Sequence, residues 1–202
     1  MKEKSDTSPV SQESDHDILR WNVVDTELVA DCEVFYVHKT HAESRCAQKV
    51  KGGFHTIVCS NWVNVIAITD DNKVVMVEQY RHGIRELTLE IPGGCIDQSD
   101  ADPEAAGMRE LLEETGYTAE NWTLLCKTHP NPALQNNVCY TFLAKGAKKI
   151  EEPKFDESGT ERLHCSLVAL DEIDELIQQG KITHSLVVVG FHFLEKYKKA
   201  SG

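Results

Sequence analysis

The sequence predicts an α+β fold in which helices cover both faces of a mixed β-sheet, and three observations support this. Runs of β-branched and apolar residues recur from Trp21 to Leu143. Helix signals are few and come late, at about 103–115, 171–180 and 185–199. Strands and helices do not alternate regularly, so a doubly wound parallel sheet is not expected.

The N-terminal part divides into a tail and a small sheet. Residues 1–18 are rich in Ser, Asp, Glu and Lys, which predicts a flexible tail. Residues 19–60 contain strand-like runs at 22–29, 33–38 and 55–59, which predict a small antiparallel sheet. Such a sheet is marginal alone, so it needs a surface to pack against.

Residues 61–202 carry the signals of the main domain. Two apolar runs, Val63–Thr69 and Lys73–Gln79, flank the turn sequence at 70–72 and predict a hairpin. The next strand, at 87–91, runs into a Pro92-Gly93-Gly94 loop, where glycines permit tight backbone and exposed carbonyls. Further strands are expected at 122–126, 138–143 and 162–170, with Asp171 capping a helix to about Gly180 and a last helix at 185–199.

The helix expected from Pro103 to Thr115 places three carboxylates on one face. Glu110, Glu113 and Glu114 stand at i, i+3 and i+4, where like charges repel unless a cation lies between them. Hard divalent ions such as Mg²⁺ or Mn²⁺ prefer clustered carboxylate oxygens, so the spacing indicates a metal site. Start and stop signals come from Asp102 and Gly116, and the inner face is assigned to these apolar or small side chains: Met108, Leu111, Leu112 and Thr115.

Residues 94–117 resemble the Nudix box, the loop-helix signature of hydrolases that cleave nucleoside diphosphates linked to another group. Every fixed position of its second half is matched, from Arg109 to Tyr117. The first half departs from the pattern, because Ala101 stands where the family has a loop-bracing glutamate, with one extra residue before it. Asp100 or Asp102 can substitute. The resemblance implies an α/β/α sandwich and divalent metal held by Glu110, Glu113, Glu114 and a carbonyl of the Gly93-Gly94 turn, while Arg109 orients the carboxylates.

The flanking residues resemble the subfamily of ADP-ribose pyrophosphatases and nucleoside diphosphate sugar hydrolases. A strand ends in Gln79-Tyr80-Arg81, the Leu89-Glu90-Ile91-Pro92-Gly93-Gly94 segment follows, and Pro132 lies sixteen residues after Gly116. The resemblance implies hydrolysis to a nucleoside monophosphate and a sugar phosphate. Arg81 is the expected donor to a phosphate, with a surface arginine at the strand end as the alternative, and Arg85 is a second candidate. Glu90 and Pro132 belong to the expected substrate site.

Two further roles are open at this stage. The resemblance implies a general base in the acidic loop at 154–161, where Glu161 is favoured, Glu157 is second, and a solvated loop without a role is the alternative. Trp62 or the Phe35-Tyr36 pair could stack on the nucleobase, or else pack in the core. The resembling subfamily also implies a homodimer in which the N-terminal sheet helps to form the nucleotide pocket.

Net charge and cysteine content argue against several classes of binding partner and metal site. The net charge of −12 argues against nucleic acid or an anionic membrane surface. Seven scattered cysteines without a Cys-x-x-Cys pair predict neither disulfides nor zinc, and no secretory segment is evident, so a cytoplasmic location is expected. Two alternatives to the sugar-nucleotide hydrolase stay open: an enzyme for dinucleotides or other nucleoside diphosphate derivatives, and a non-catalytic nucleotide sensor, suggested by Ala101. The three intact glutamates favour catalysis.

Overall fold

A computed structural model describes residues 17–154 and 162–201 of the chain. The chain divides into two compact units, with the boundary after Val58. Of the predicted tail, Asp17 and Ile18 belong to a short 3₁₀ turn that ends at Leu19, and residues 1–16 lie outside the described part. In that part of the chain, no helix is long and apolar enough to cross a bilayer.

The first unit is an antiparallel three-stranded meander. Strand β1 (Trp21–Asp31) pairs with β2 (Tyr36–Ser44), and β2 pairs with β3 (Lys51–Val58). The second strand begins at Tyr36 rather than at Glu33, as the sequence suggested. The reason is a turn, because Glu33 adopts a positive φ of 65° and its N–H donates to Asp31 Oδ1 at 3.0 Å.

The second unit is built on a mixed sheet with the strand order β11-β5-β4-β10-β8. Strands β4 and β10 run parallel, and the other pairs are antiparallel, with β6 on β5, β7 on β4 and β9 on β10. The strands of this sheet are β4 (Trp62–Thr69), β5 (Lys73–Arg81), β6 (Glu86–Glu90), β7 (Gly93–Cys95), β8 (Tyr117–Thr118), β9 (Asn121–Thr128), β10 (Cys139–Lys149) and β11 (Leu163–Ala169).

Helices cover both faces of this sheet, which confirms the predicted fold class. Helix α1 (Pro103–Thr115) buries Ala106 and Leu111 in a cluster with Val63, Val65 and other residues of one face. Helices α2 (Ile173–Gln178) and α3 (Ser185–Ser201) pack in a second cluster on the opposite face, which includes Ile66, Met76 and Leu143. The hairpin of β4 and β5 also forms as expected, with Thr69 Oγ1 donating to Asp71 Oδ1 at 2.6 Å in its turn.

Two local predictions are wrong. Asp171 does not cap α2, since the capping position falls on Glu172, whose backbone is already helical and whose side chain makes no capping hydrogen bond. The Gly93-Gly94 segment is not an open loop but the start of β7, which pairs with residues 62–64 of β4. Glycine is required there because a Cβ on Gly93 would collide with the carbonyl oxygen of Val63.

Candidate active site

Helix α1 has the bounds and caps that the sequence predicts. The side chain of Asp102 accepts a hydrogen bond from the N–H of Ala105 at 2.9 Å, and Pro103 occupies the first turn. At the other end Gly116 adopts a φ of 73°, and its N–H donates to the carbonyl of Leu112 at 2.8 Å. The helix is therefore fixed at both ends.

The inner face of α1 differs from the expectation. Met108 is 42% exposed, because Gly107 is the residue that lies against Val63 and Val65. Glu114 lies on the buried side and is only 4% exposed. The three carboxylates therefore do not all project into solvent.

Glu114 is hydrogen-bonded to β7, the strand that begins within the predicted substrate motif. Its Oε2 accepts a hydrogen bond from the N–H of Gly93 at 2.9 Å. A buried carboxylate is costly unless it accepts hydrogen bonds, and a backbone N–H is a donor whose position the strand fixes. The contact fixes the carboxylate of α1 to the first residue of β7.

Arg109 connects the helix to the preceding loop. Its Nε and Nη2 donate to the two oxygens of Asp100 at 3.0 and 2.9 Å, and its Nη1 donates to Glu110 and Glu113 at 2.9 and 3.1 Å. Nη2 also donates to the carbonyl of Cys95 at 3.1 Å. These bonds, first the one to Asp100, raise the pKa of Arg109 further, so the guanidinium is permanently charged.

Asp100, not Asp102, braces the loop in place of the absent glutamate. Its side chain is 6% exposed, and besides Arg109 it binds the N–H of Asp97 at 2.8 Å. The hydrogen bond from Arg109 holds the pKa of the Asp100 carboxyl below its usual range, so it stays ionised. Asp102 is used as the helix cap, and Ala101 is exposed.

The donor chemistry at α1 fits a hard divalent ion, although the side chains are not gathered around one. Within residues 17–154 and 162–201, no three His, Cys, Asp or Glu side chains are placed together as ligands. The reason is that Glu110 and Glu113 are hydrogen-bonded to Arg109, while Glu114 is hydrogen-bonded to the N–H of Gly93. Acidic oxygens still outnumber the single guanidinium, and this excess favours a cation.

A cleft of about 390 Å³ is lined by all three residues of β7 and by several predicted site residues, while none of residues 103–115 of α1 belongs to its lining. Of the sequence predictions, it contains Trp62, Arg81, Glu90 and Gly93. It also contains Gly94, whose turn was expected at the metal. Sequence reasoning did not assign the other six lining residues: Val63, Asn64, Ile91, Cys95, His184 and Leu186. The only signal for Asn64 was a lone amide in an apolar strand.

Arg81 is held in the cleft by a buried carboxylate. Its Nε and Nη2 donate to both oxygens of Glu90 at 2.7 and 2.8 Å, and Thr88 Oγ1 donates to the same carboxylate at 2.5 Å. Glu90 is 3% exposed. Burial alone would raise its pKa, but the bonds from Arg81 and Thr88 outweigh burial and lower the pKa of Glu90.

Other predicted residues lie elsewhere. Arg85 is exposed in the turn between β5 and β6, with a positive φ of 60°, and as far as the described residues show it does not line the cleft. Pro132 is exposed in the loop between β9 and β10 and is also outside that lining. The stacking candidates Phe35 and Tyr36 belong to the first unit. The general-base candidates Glu157 and Glu161 lie outside the described residues.

His184 stands at the start of α3 and also lines the cleft. Its Nε2 is 4.0 Å from Glu90 Oε2, while its buried Nδ1 has no hydrogen-bond partner. Burial lowers the pKa of His184; Glu90 opposes this change and Arg81 adds to it. An unpartnered buried polar atom costs about 1–3 kcal/mol, so such atoms are uncommon without a reason.

Comparison with known proteins assigns the chain to a family. The NUDIX domain model matches residues 61–186. The chain belongs to the Nudix family. The resemblance of residues 94–117 to the Nudix box is therefore confirmed, and Nudix hydrolases generally use divalent metal ions.

Individual proteins also resemble this chain over most of its length. The methanol dehydrogenase activator of Bacillus methanolicus is 36% identical over 134 residues, covering 66% of this chain and 71% of that protein. The ADP-ribose pyrophosphatase of Bacillus subtilis strain 168 is 30% identical over 134 residues, with the same coverage of 66% and 71%. The crystal structure of an ADP compounds hydrolase matches with a TM-score of 0.76 at 21% identity, covering 91% of this chain and 96% of that one, and shows the same fold.

Proposed function

We propose that this Nudix enzyme hydrolyses the diphosphate bond of ADP-ribose and related nucleoside diphosphate sugars, releasing a nucleoside monophosphate and a sugar phosphate. One observation carries the proposal. Strand β7 lines the cleft that contains Arg81, and its first residue, Gly93, also binds Glu114 of the Nudix helix. The strand segment that lines the cleft with Arg81 is therefore also the one that holds Glu114, which supports a shared site for acidic groups and a phosphate-binding cation, and the Bacillus subtilis relative is named for ADP-ribose.

Arg81 is the proposed phosphate-binding residue. Diphosphate cleavage needs positive charge near the phosphoryl oxygens. The bidentate contact with Glu90 fixes the guanidinium before substrate arrives, so little side-chain entropy is lost on binding. Glu90 then acts through Arg81, as a positioning residue that keeps the cation at the cleft.

Mg²⁺, with Mn²⁺ as the alternative, is the proposed metal. Glu110, Glu113 and Glu114, with a carbonyl of the Gly93-Gly94 segment, would hold it. When bound, a divalent ion neutralises phosphoryl charge and lowers the pKa of a coordinated water. The chain's own contribution is orientation, since Arg109 holds Glu110 and Glu113, and the N–H of Gly93 holds Glu114.

Glu161 is the proposed general base, with Glu157 second. Both belong to the acidic segment between β10 and β11. Removing a general base lowers kcat by about 10²- to 10⁴-fold. We therefore expect Glu161→Gln to show such a loss in kcat while Glu157→Gln stays near the wild type; the reverse order would transfer the role to Glu157, and two active variants would remove the loop from the mechanism.

The first unit is proposed to form a homodimer interface. Strand β1 is exposed along nearly its whole length and carries Val23, Val24, Leu28 and Val29 on its surface. Exposed apolar patches of this kind mark interaction surfaces. Val24→Asp should convert a dimer into a monomer in light scattering, while Val34→Asp, a control in the turn after β1, should not. A dimer that persists in Val24→Asp would contradict this interface.

A cytoplasmic location is proposed as well. All seven cysteines are free. Thiols in this number persist in reducing compartments, where disulfides are rare.

The substrate assay uses coupled release of phosphate by a phosphatase. ADP-ribose, several nucleoside diphosphate sugars, dinucleoside polyphosphates and NADH are compared with and without Mg²⁺. Fastest Mg²⁺-dependent turnover of ADP-ribose or another nucleoside diphosphate sugar supports the proposal, and a preference for NADH or dinucleoside polyphosphates would reassign the substrate. Tight nucleotide binding without turnover of any compound would indicate a sensor.

A further inference from the structure

The buried polar atoms without partners are concentrated in a few residues. In the part of the chain that the structure describes, five buried side-chain atoms have no hydrogen-bond partner, and they belong to Asn64, Thr128, Asn137 and His184. In native proteins most buried polar groups have a hydrogen-bond partner, so several exceptions in one region need an explanation, and ligand binding is one. Two of the four, Asn64 and His184, line the cleft of the proposed active site.

Strand register places Asn64 and Thr128 on the same face of the sheet. Thr128 pairs with Cys139, and Cys139 pairs with Trp62. Paired residues on neighbouring strands share a face of the sheet, and so do residues two apart on one strand. Asn64 is two residues after Trp62, so it shares the face of Trp62 and Thr128. Trp62 is another residue of the cleft.

Helix α3 covers this face. Asn64 pairs with Thr141, and a Cβ on Gly190 of α3 would lie 3.2 Å from the methyl group of Thr141. His184 begins the same helix, since its carbonyl accepts from the N–H groups of Val187 and Val188 at 3.0 and 3.1 Å. The cleft is thus bounded by Asn64 on the sheet and by His184 on the helix.

Asn137 lies two residues before β10, next to a residue that bonds to Trp62 of the cleft. The neighbouring Val138 donates its N–H to Asn61 Oδ1 at 2.9 Å, and its carbonyl accepts from the N–H of Trp62 at 2.9 Å. Asn137 itself is 1% exposed, and neither polar atom of its side chain has a partner. It therefore adds buried hydrogen-bonding capacity close to Trp62.

We propose that Asn64 and His184 bind the hydroxyl groups of the sugar on the distal phosphate of the substrate, and that Thr128 and Asn137, which are outside the cleft lining, extend this polar region. This inference rests on the proposed function for the identity of the substrate. The unpartnered groups are an amide, a hydroxyl and an imidazole, which offer uncharged donors and acceptors and match hydroxyl groups. A phosphate would instead be drawn to the cation of Arg81.

Geometry favours a sugar over a nucleobase. A base is flat, with apolar faces and with all its hydrogen-bonding groups in the plane of its edge. A sugar ring is puckered and presents hydroxyls above and below. Asn64 approaches the cleft from the sheet and His184 from the helix. Groups on two sides can bond to the hydroxyls above and below a sugar ring, but not to the apolar faces of a base.

The test compares two substrates that differ only in the sugar. KM and kcat are measured for ADP-ribose and for the methyl ester of ADP, with the full-length wild type, Asn64→Leu and His184→Phe. We expect each variant to raise the KM for ADP-ribose roughly three- to tenfold, with kcat and the KM of the methyl ester within about twofold of the wild type. His184→Gln, which keeps a hydrogen-bonding group, should recover part of the loss.

Threonine variants supply the matched controls. Thr128→Val replaces the hydroxyl with a methyl group of the same shape, so the KM for ADP-ribose should rise while Tm stays equal or increases. Thr123→Val makes the same change on the same strand, at a residue that pairs with Leu143 and lines a different cleft, and should leave KM unchanged. A fall in Tm for Thr128→Val without a change in KM would make its hydroxyl a structural group.

Several results would overturn the inference. Equal losses for ADP-ribose and the methyl ester would place the group elsewhere than at the distal sugar, and weakened AMP binding would assign it to the nucleoside monophosphate part of the substrate. If the wild type hydrolyses no nucleoside diphosphate sugar, the proposed function fails and the subsite is tested separately, by titrating ribose 5-phosphate and inorganic phosphate. Tighter binding of ribose 5-phosphate that is lost in Asn64→Leu supports the subsite, and equal binding of the two probes refutes it.

Discussion

Replacing Asp100 with alanine should loosen the segment between β7 and α1. Asp100 accepts two hydrogen bonds from Arg109 and one from the N–H of Asp97, and its carboxylate is nearly inaccessible to water. All three bonds disappear in the variant. Arg109 keeps Glu110 and Glu113 as partners, so its charge is not left alone.

The size of the effect follows from these contacts. Hydrogen bonds to charged groups contribute about 1.5–3 kcal/mol each, but Arg109 retains other acceptors, so a total loss of about 2–3 kcal/mol is expected. For a chain of 202 residues this lowers Tm by about 5–10 °C. Thermal unfolding followed by circular dichroism at pH 7 measures the shift.

Two neighbouring aspartates serve as controls. Asp97 is exposed and its carboxylate is 3.8 Å from Arg109, so Asp97→Ala should cost less than about 0.5 kcal/mol. Asp102→Ala removes the cap of α1 and should cost about 1 kcal/mol. The expected order of destabilisation is therefore Asp100, Asp102, Asp97. A variant at Asp100 that melts like Asp97→Ala would refute the bracing role.

Three other predictions concern the site. Gly94→Ala should lower activity more than stability, because the new methyl group would displace the carboxylate of Glu110 at the end of its flexible side chain; unaltered activity and metal dependence would disprove this packing. Glu114→Gln should keep Tm within about 2 °C but reduce turnover by orders of magnitude while retaining nucleotide in equilibrium binding, and a normal rate would exclude a ligand role. Because the pKa of Glu90 is lowered on folding, its ion pair with Arg81 stabilises the protein above pH 4.5 and is lost as pH falls through the lower folded value. The Tm difference between wild type and Glu90→Gln should thus shrink in acid, and a constant difference from pH 7 to pH 3 would contradict the pairing.

The sequence predicted the elements whose signals are local. Helix α1 could be predicted to the residue because Asp102, Pro103 and Gly116 act within one turn of its ends. The hairpin of β4 and β5 was predictable from its turn residues. The Nudix box itself is contiguous, so its recognition needed no three-dimensional information.

Long-range packing explains what the sequence did not reveal. Glycine usually weakens strands, so β7 could not be predicted without knowing how closely Gly93 approaches Val63. Met108 fits the apolar stripe of α1, yet Gly107 takes the contact with the sheet. His184 joins the cleft only because α3 packs on the sheet, more than a hundred residues after Trp62 along the chain.

The arrangement around Arg109 has a consequence for ion binding. One guanidinium holds oxygens of Asp100, Glu110 and Glu113, so a divalent ion at the proposed ligands Glu110 and Glu113 would compete with it for these two side chains. The affinity of this helix for the ion would then depend on how readily Glu110 and Glu113 exchange Arg109 for the ion. Each carboxylate that leaves Arg109 would strengthen the bonds between Arg109 and Asp100. Loading the helix with a metal would consequently make the loop that carries Asp100 more rigid, and Asp100 would influence ion affinity without ever touching the ion.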